Sequence, residues 1–116
     1  YPMNSTIQKP WGSYKVLEKG KKHLVKNIII KPGGTLSLQS HKHRSEYWTV
    51  VQGTATVTIG KIITELKSNK SIFIPKQKKH RLVNNKKENL VIIEVQYGDI
   101  LQENDIVRYE DIYKRI

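Results

Sequence analysis

The residues best equipped for chemistry stand close together in the run LSLQSHKHRSEYW, residues 36–48. Gln39, His41 and His43 alternate with Ser40 and Lys42, so a regular strand turns all three toward one face. Glu46 lies an odd number of residues beyond His41 and falls on the opposite face of that strand. A turn or bulge over residues 42–45 would bring its carboxylate back to the imidazoles. The charged and small residues of KHRS permit one. A second stretch carries Asn69, Pro75, Gln77, His80 and Asn84, and brings His80 in from a distant strand. A lone histidine on a strand is more often packed or exposed than bound to anything. An amide oxygen, two imidazoles and a carboxylate at these spacings are another matter. Gln39, His41, Glu46 and His80 suit Zn²⁺ or another divalent first-row ion, with positions left for substrate. His43 is expected to face substrate or solvent, and His23, outside both stretches, to lie on the surface.

The elements that must position these groups read as short strands. SYKVLEKG, HLVKNIII, TLSLQSHKH, EYWTVVQG, TATVTIG, IITELKSN, SIFIPK, HRLVNN and NLVIIEVQYG follow one another with close turn signals such as KPGG and Gln52-Gly53. Such a density of short strands predicts an all-β fold, and a closed double sheet solves its edge problem. Residues 1–8 show no pattern and read as a linker ahead of one domain over 9–116. The first residue is Tyr1, which fits a piece of a longer chain. In KPWGSY, Trp11 is expected to cap the barrel or line a ligand site. Near the end, Ile106, Tyr109, Ile112, Tyr113 and Ile116 are spaced as on a short helix, with Asp105 as its cap.

Length and composition narrow the class. The chain has 116 residues, which is one domain by size. It has no cysteine, so disulfides and thiolate metal sites are excluded. No apolar run approaches the roughly 20 residues of a membrane helix and no signal-peptide pattern opens the chain, which makes cytoplasmic the default location. The formal net charge is +11, carried by clusters at residues 19–22, 76–81 and 86–87, while the segment from Glu94 onward is acidic. Basic clusters in turns are usually solvated loops. The functional reading is attraction of an anionic ligand such as a sugar phosphate, since KQKKHR contains His80 itself. Nucleic-acid modules interleave aromatics with basic residues, whereas the aromatics here sit mostly toward the ends. Neither a P-loop nor a nucleotidyltransferase signature is present.

The two stretches resemble the paired motifs of the cupin family, with Gln39 at the first histidine position and Asn69 and Gln77 at two glycine positions. More narrowly, LSLQSHKHRSEYW, KPWGSY and IEVQYGDILQENDIVRYEDIYKR resemble the type II phosphomannose isomerase domain. That domain usually forms the C-terminal part of bifunctional mannose-6-phosphate isomerase/mannose-1-phosphate guanylyltransferases. The resemblance implies a cupin double-stranded β-helix that interconverts mannose 6-phosphate and fructose 6-phosphate. It also implies a divalent metal, zinc first with cobalt, manganese or iron as alternatives, on Gln39, His41, Glu46 and His80. The paired Gln and His are also how type I phosphomannose isomerases present their zinc. Arg44, in the segment characteristic of the type II group, is a candidate for catalysis and substrate binding, with His43 beside it for substrate. Lys26 and Glu94 are further catalytic candidates, Glu94 as a proton carrier. A homodimer and an N-terminal nucleotidyltransferase domain are expected partners. The family's histidine after the carboxylate is Tyr47 here, so any role of that histidine is lost.

Two other classes stay open on the sequence. A non-catalytic module for sugars or nucleotide sugars would bind ligand without turnover. A metal-dependent oxygenase on the same scaffold would need iron and consume oxygen, which Gln39 at the first ligand position disfavours.

Overall fold

The computed structural model describes residues 3–114. Among them the chain forms eleven strands and no helix: β1 (Ile7–Lys9), β2 (Gly12–Lys19), β3 (His23–Ile30), β4 (Leu38–Ser40), β5 (Arg44–Gln52), β6 (Thr54–Ile59), β7 (Ile62–Lys67), β8 (Ser71–Ile74), β9 (His80–Val83), β10 (Leu90–Gly98) and β11 (Val107–Glu110). They build two sheets, one ordered β1-β2-β3-β10-β5-β8 and one ordered β11-β4-β9-β6-β7, with every strand pair antiparallel. The all-β, two-sheet expectation holds. No helix of the described residues is long and apolar enough to cross a membrane.

Alternation along the long strands builds the core. In β10, Leu90, Ile92, Glu94 and Gln96 point inward while Val91, Ile93 and Val95 are only partly covered. One end of the interior is filled by Ile30, Val50, Leu90 and Ile92, all nearly inaccessible to solvent. The other end carries buried polar residues, and the site lies there. Trp11 is buried and lines the cavity.

Three local features differ from the sequence reading or refine it. The short helix expected after Asp105 does not form among the described residues, outside which Ile116 lies, and Val107–Glu110 instead becomes β11 along β4, with a register shift between Arg108 and Glu110. Asp105 is accordingly not a helix cap. Its carboxylate accepts hydrogen bonds from the Lys42 and His43 amides, both at 3.0 Å. Ile7 and Gln8, read as linker, pair with β2 in β1, and Asn4 donates its amide to the Val16 carbonyl. Asn69 and Gln77 take φ of 70° and 65°, the left-handed backbone that glycine adopts without penalty. Gln77 holds that conformation while its amide donates to the His41 carbonyl at 2.7 Å, so the turn is tied to the site.

Candidate metal centre and active site

Each sheet contributes one wall. Between Ser40 and Arg44 the chain leaves β4 of the smaller sheet and enters β5 of the larger one. That crossing, more than a bulge within one strand, turns Glu46 to face His41 despite their odd spacing. On the smaller sheet, Gln39 is the register partner of both His80 and Arg108, which places the three side chains in one row on one face. On the larger sheet, Glu94 pairs with Trp48 on one side and Lys26 on the other, and Gln96 pairs with Glu46. Between the walls lies a cavity that opens to solvent.

His41, Glu46 and His80 converge here with candidate ligand atoms all within 4.8 Å of one another, and all three residues are buried. His41 Nε2 is 3.3 Å from Glu46 Oε2, and His80 Nε2 is 3.9 Å from Glu46 Oε1. The donor chemistry fits a divalent metal. His41 Nδ1 lies 2.7 Å from the Asp105 carbonyl oxygen and His80 Nδ1 lies 3.0 Å from that of Lys78. A carbonyl only accepts, so each Nδ1 is the protonated nitrogen and each Nε2 turns a lone pair inward. His80 Nε2 is buried with no hydrogen-bond partner. A buried polar atom of that kind calls for one. Gln39 is buried beside His80 in register, its Oε1 accepting from Ser37 Oγ at 3.4 Å, and is the fourth candidate donor.

Electrostatics separates the groups into distinct states. Burial, the Arg44 charge and His80 push the His41 pKa down to about 4, leaving the neutral ring that a metal requires. Burial alone would raise Glu46, but Arg44, His80 and hydrogen bonding outweigh it and hold the carboxylate below its ordinary value. Arg44 Nε donates to Glu46 Oε2 at 2.7 Å and one of its terminal nitrogens lies 3.3 Å from His41 Nε2. Glu94 goes the other way: burial and the Glu46 charge raise it to about 7, against the pull of Lys26 and Arg44.

Of the residues chosen from sequence, the structure brings together Gln39, His41, Arg44, Glu46, Glu94 and Lys26 around the cavity, with His80 in the same cluster. His43 is not among the lining residues. It is half-buried in the bend before β5, its amide bonded to Asp105. Several contributors escaped the sequence reading. Trp48 Nε1 is shared between Glu46 Oε1 at 3.1 Å and Glu94 Oε1 at 3.0 Å. Gln96 Nε2 donates to Glu94 Oε2 at 3.0 Å. Lys26 Nζ and Tyr14 Oη both donate to Glu103 Oε1 at 2.7 Å. Arg108 lines the cavity from β11. The register of β10 against β5 brings Trp48 to Glu94, and the connection between β10 and β11 brings Glu103 to Lys26.

A family model described as "Mannose-6-phosphate isomerase C-terminal" matches residues 1–111. The chain belongs to this family. It is 50% identical over 109 residues to the xanthan biosynthesis protein XanB of Xanthomonas campestris pv. campestris, covering 94% of this chain and 23% of that protein. It is 46% identical over 114 residues to the mannose-1-phosphate guanylyltransferase ManC of Salmonella typhimurium, covering 98% of this chain and 24% of ManC. This member of the family thus spans about a quarter of the length of those relatives. Its fold is that of a cupin: the Schizosaccharomyces pombe Cnp3 cupin domain superposes with a TM-score of 0.70 at 17% identity, over 75% of this chain and 64% of that one.

Proposed function

We propose that this chain is a metal-dependent aldose–ketose isomerase that interconverts mannose 6-phosphate and fructose 6-phosphate, as the isomerase domain of a longer mannose-1-phosphate guanylyltransferase. The observation that carries the reading is the buried His41, Glu46 and His80 cluster, both rings locked with Nε2 inward, facing a second carboxylate across the same cavity. Membership of the isomerase-named family and the guanylyltransferase name of ManC support the reaction and the longer context.

A divalent metal on His41, Glu46, His80 and Gln39, zinc first, would supply a Lewis acid for the sugar's oxygens and offset the negative charge that develops on them. The chain's own groups do the rest. Glu94, in hydrogen-bond contact with Trp48 and Gln96, is placed to take the proton from C2 of the open-chain aldose and return it at C1. Lys26, the register partner of Glu94, stands beside it with its ammonium anchored on Glu103. Arg44 orients Glu46 and offers its remaining N–H groups toward sugar oxygens. The apolar lining of Trp11, Ile28 and Leu36 limits water around the reacting carbons.

The test is a coupled isomerase assay on metal-stripped protein resupplied in turn with Zn²⁺, Co²⁺, Mn²⁺ and Fe²⁺, with His80→Ala alongside. Restored turnover that the substitution abolishes is expected. Metal binding without turnover by any of the four would favour a sugar-binding module instead. Two chains are also expected to pair through the outer face of the larger sheet, where Tyr47, Phe73 and Tyr97 lie exposed.

A further inference from the structure

Four basic side chains line the cavity: Lys9, Lys26, Arg44 and Arg108. Two of them are matched by carboxylates, Lys26 by Glu103 and Arg44 by Glu46, both at 2.7 Å. Arg108 and Lys9 make no hydrogen bond or ion pair among the described residues, and Arg108 Nε is buried with no partner. A guanidinium N–H that is shut away from water without an acceptor is costly and uncommon. Its counterpart is therefore sought in a ligand. The two cations come from opposite walls, Lys9 from β1 at the free edge of the larger sheet and Arg108 from β11 at the free edge of the smaller one.

Position fixes what such an anion would be attached to. Arg108, Gln39 and His80 form one row across β11, β4 and β9. With adjacent strands about 4.8 Å apart, Arg108 stands about 10 Å from His80 at the backbone, on the far side of Gln39. Glu46 and Glu94 repel a phosphate from the end where carbon chemistry would occur, whereas the unmatched cations attract it to the other end. We propose that Arg108, assisted by Lys9, is the anion subsite that takes the phosphate group of a phosphorylated sugar, its planar fork engaging two phosphate oxygens. This rests on reading the cavity as a sugar-phosphate site and adds where the substrate is gripped and in which direction it lies.

The test titrates inorganic phosphate and mannose 6-phosphate calorimetrically into the metal-loaded chain as wild type, Arg108→Gln, Arg108→Lys and Lys9→Gln, with isomerase kinetics on each. Arg108→Gln is expected to weaken both ligands about tenfold or more and to raise KM similarly while kcat and metal content stay near wild type. Arg108→Lys should recover part of the affinity, and Lys9→Gln should lose less in the same direction. The Lys9 variant decides the matter if Arg108→Gln fails to fold. Phosphate binding that falls in the variants of a protein without turnover would sink the isomerase reading and leave the anion subsite standing. Active wild type whose phosphate affinity and KM are untouched by Arg108→Gln and Lys9→Gln would overturn the subsite, as would wild type that binds neither ligand.

Discussion

One indole N–H stands between two carboxylates in different states. Trp48 Nε1 reaches Glu46, kept ionised by Arg44, and Glu94, pushed up to about 7 by burial and by Glu46 itself. Paired acids whose surroundings drive them apart divide labour, one serving as a fixed charge and the other as a proton carrier. Glu94→Gln is thus expected to lower kcat by about 10² to 10⁴ while metal content is unchanged. Folding should survive, because Gln96 can rotate its amide and present Oε1, which has no partner, to the new donor. Residual turnover close to wild type, measured in the coupled assay, would remove Glu94 from the reaction. At this scale the sequence was readable where spacing is local. The two histidines and Glu46 declare themselves, because few other roles require those types at those intervals. Trp48, Gln96, Glu103 and Arg108 do not, since nothing in their own neighbourhoods marks them as facing a site, and only the fold brings Trp48 to Glu94, Glu103 to Lys26 and Arg108 into the cavity.

Strands and turns carry their own tests. Asn84, after β9, donates from Nδ2 to the Ile30 carbonyl at 2.9 Å and the Glu88 carbonyl at 2.8 Å, while Oδ1 accepts from the Lys86 amide at 3.0 Å. An aspartate there is nearly isosteric yet has no N–H to give. Asn84→Asp should cost about 3 kcal/mol or more, read as a lowered denaturant midpoint with unchanged slope. The connection from β10 to β11 is clasped through Glu103, on which Lys26 and Tyr14 converge. Burial would raise its pKa, but Lys26 and these hydrogen bonds outweigh that and the net shift is downward. A carboxylate lowered in the folded state adds stability above the ordinary carboxylate range and loses it as pH falls through the lowered value. The Tm gap between wild type and Glu103→Gln should therefore be widest near neutrality and close in acid. The same region shows why the expected helix was illegible. Ile106, Tyr109 and Ile112 recur at helical intervals, but the register shift after Arg108 breaks the two-residue alternation of a strand and imitates that period. The free edge of β4 and the hydroxyl contact between Tyr109 and Ser40, 2.9 Å apart, decide for β11.

At the scale of the molecule, the larger sheet turns an apolar row outward. Phe73, Tyr47, Val95 and Val25 are successive register partners across β8, β5, β10 and β3, and the Tyr47 and Phe73 rings lie 4.8 Å apart. Contiguous apolar surface of this kind marks an interaction face. Sedimentation of wild type as a dimer and of Tyr47→Lys as a monomer is the expected result, and a wild-type monomer at micromolar concentration would contradict it. All-β architecture was plain from the density of short strands and turns. Strand order was not, because alternation reports which face is covered and says nothing of which strand lies alongside.

That order has a consequence for how the chain is made. In the larger sheet β10 lies between β3 and β5, although it is the next-to-last strand in sequence. Until Leu90–Gly98 has left the ribosome, β1-β2-β3 and β5-β8 have no strand to join them, and the facing edges of β3 and β5 stay unpaired. Pairings across such separations are slow, and unpaired edges are where nascent chains aggregate. The same late segment brings Glu94, and the residues after it bring the Asp105 carbonyl that sets the His41 tautomer. The strand that joins the two halves of the larger sheet thus also carries part of the site's chemistry.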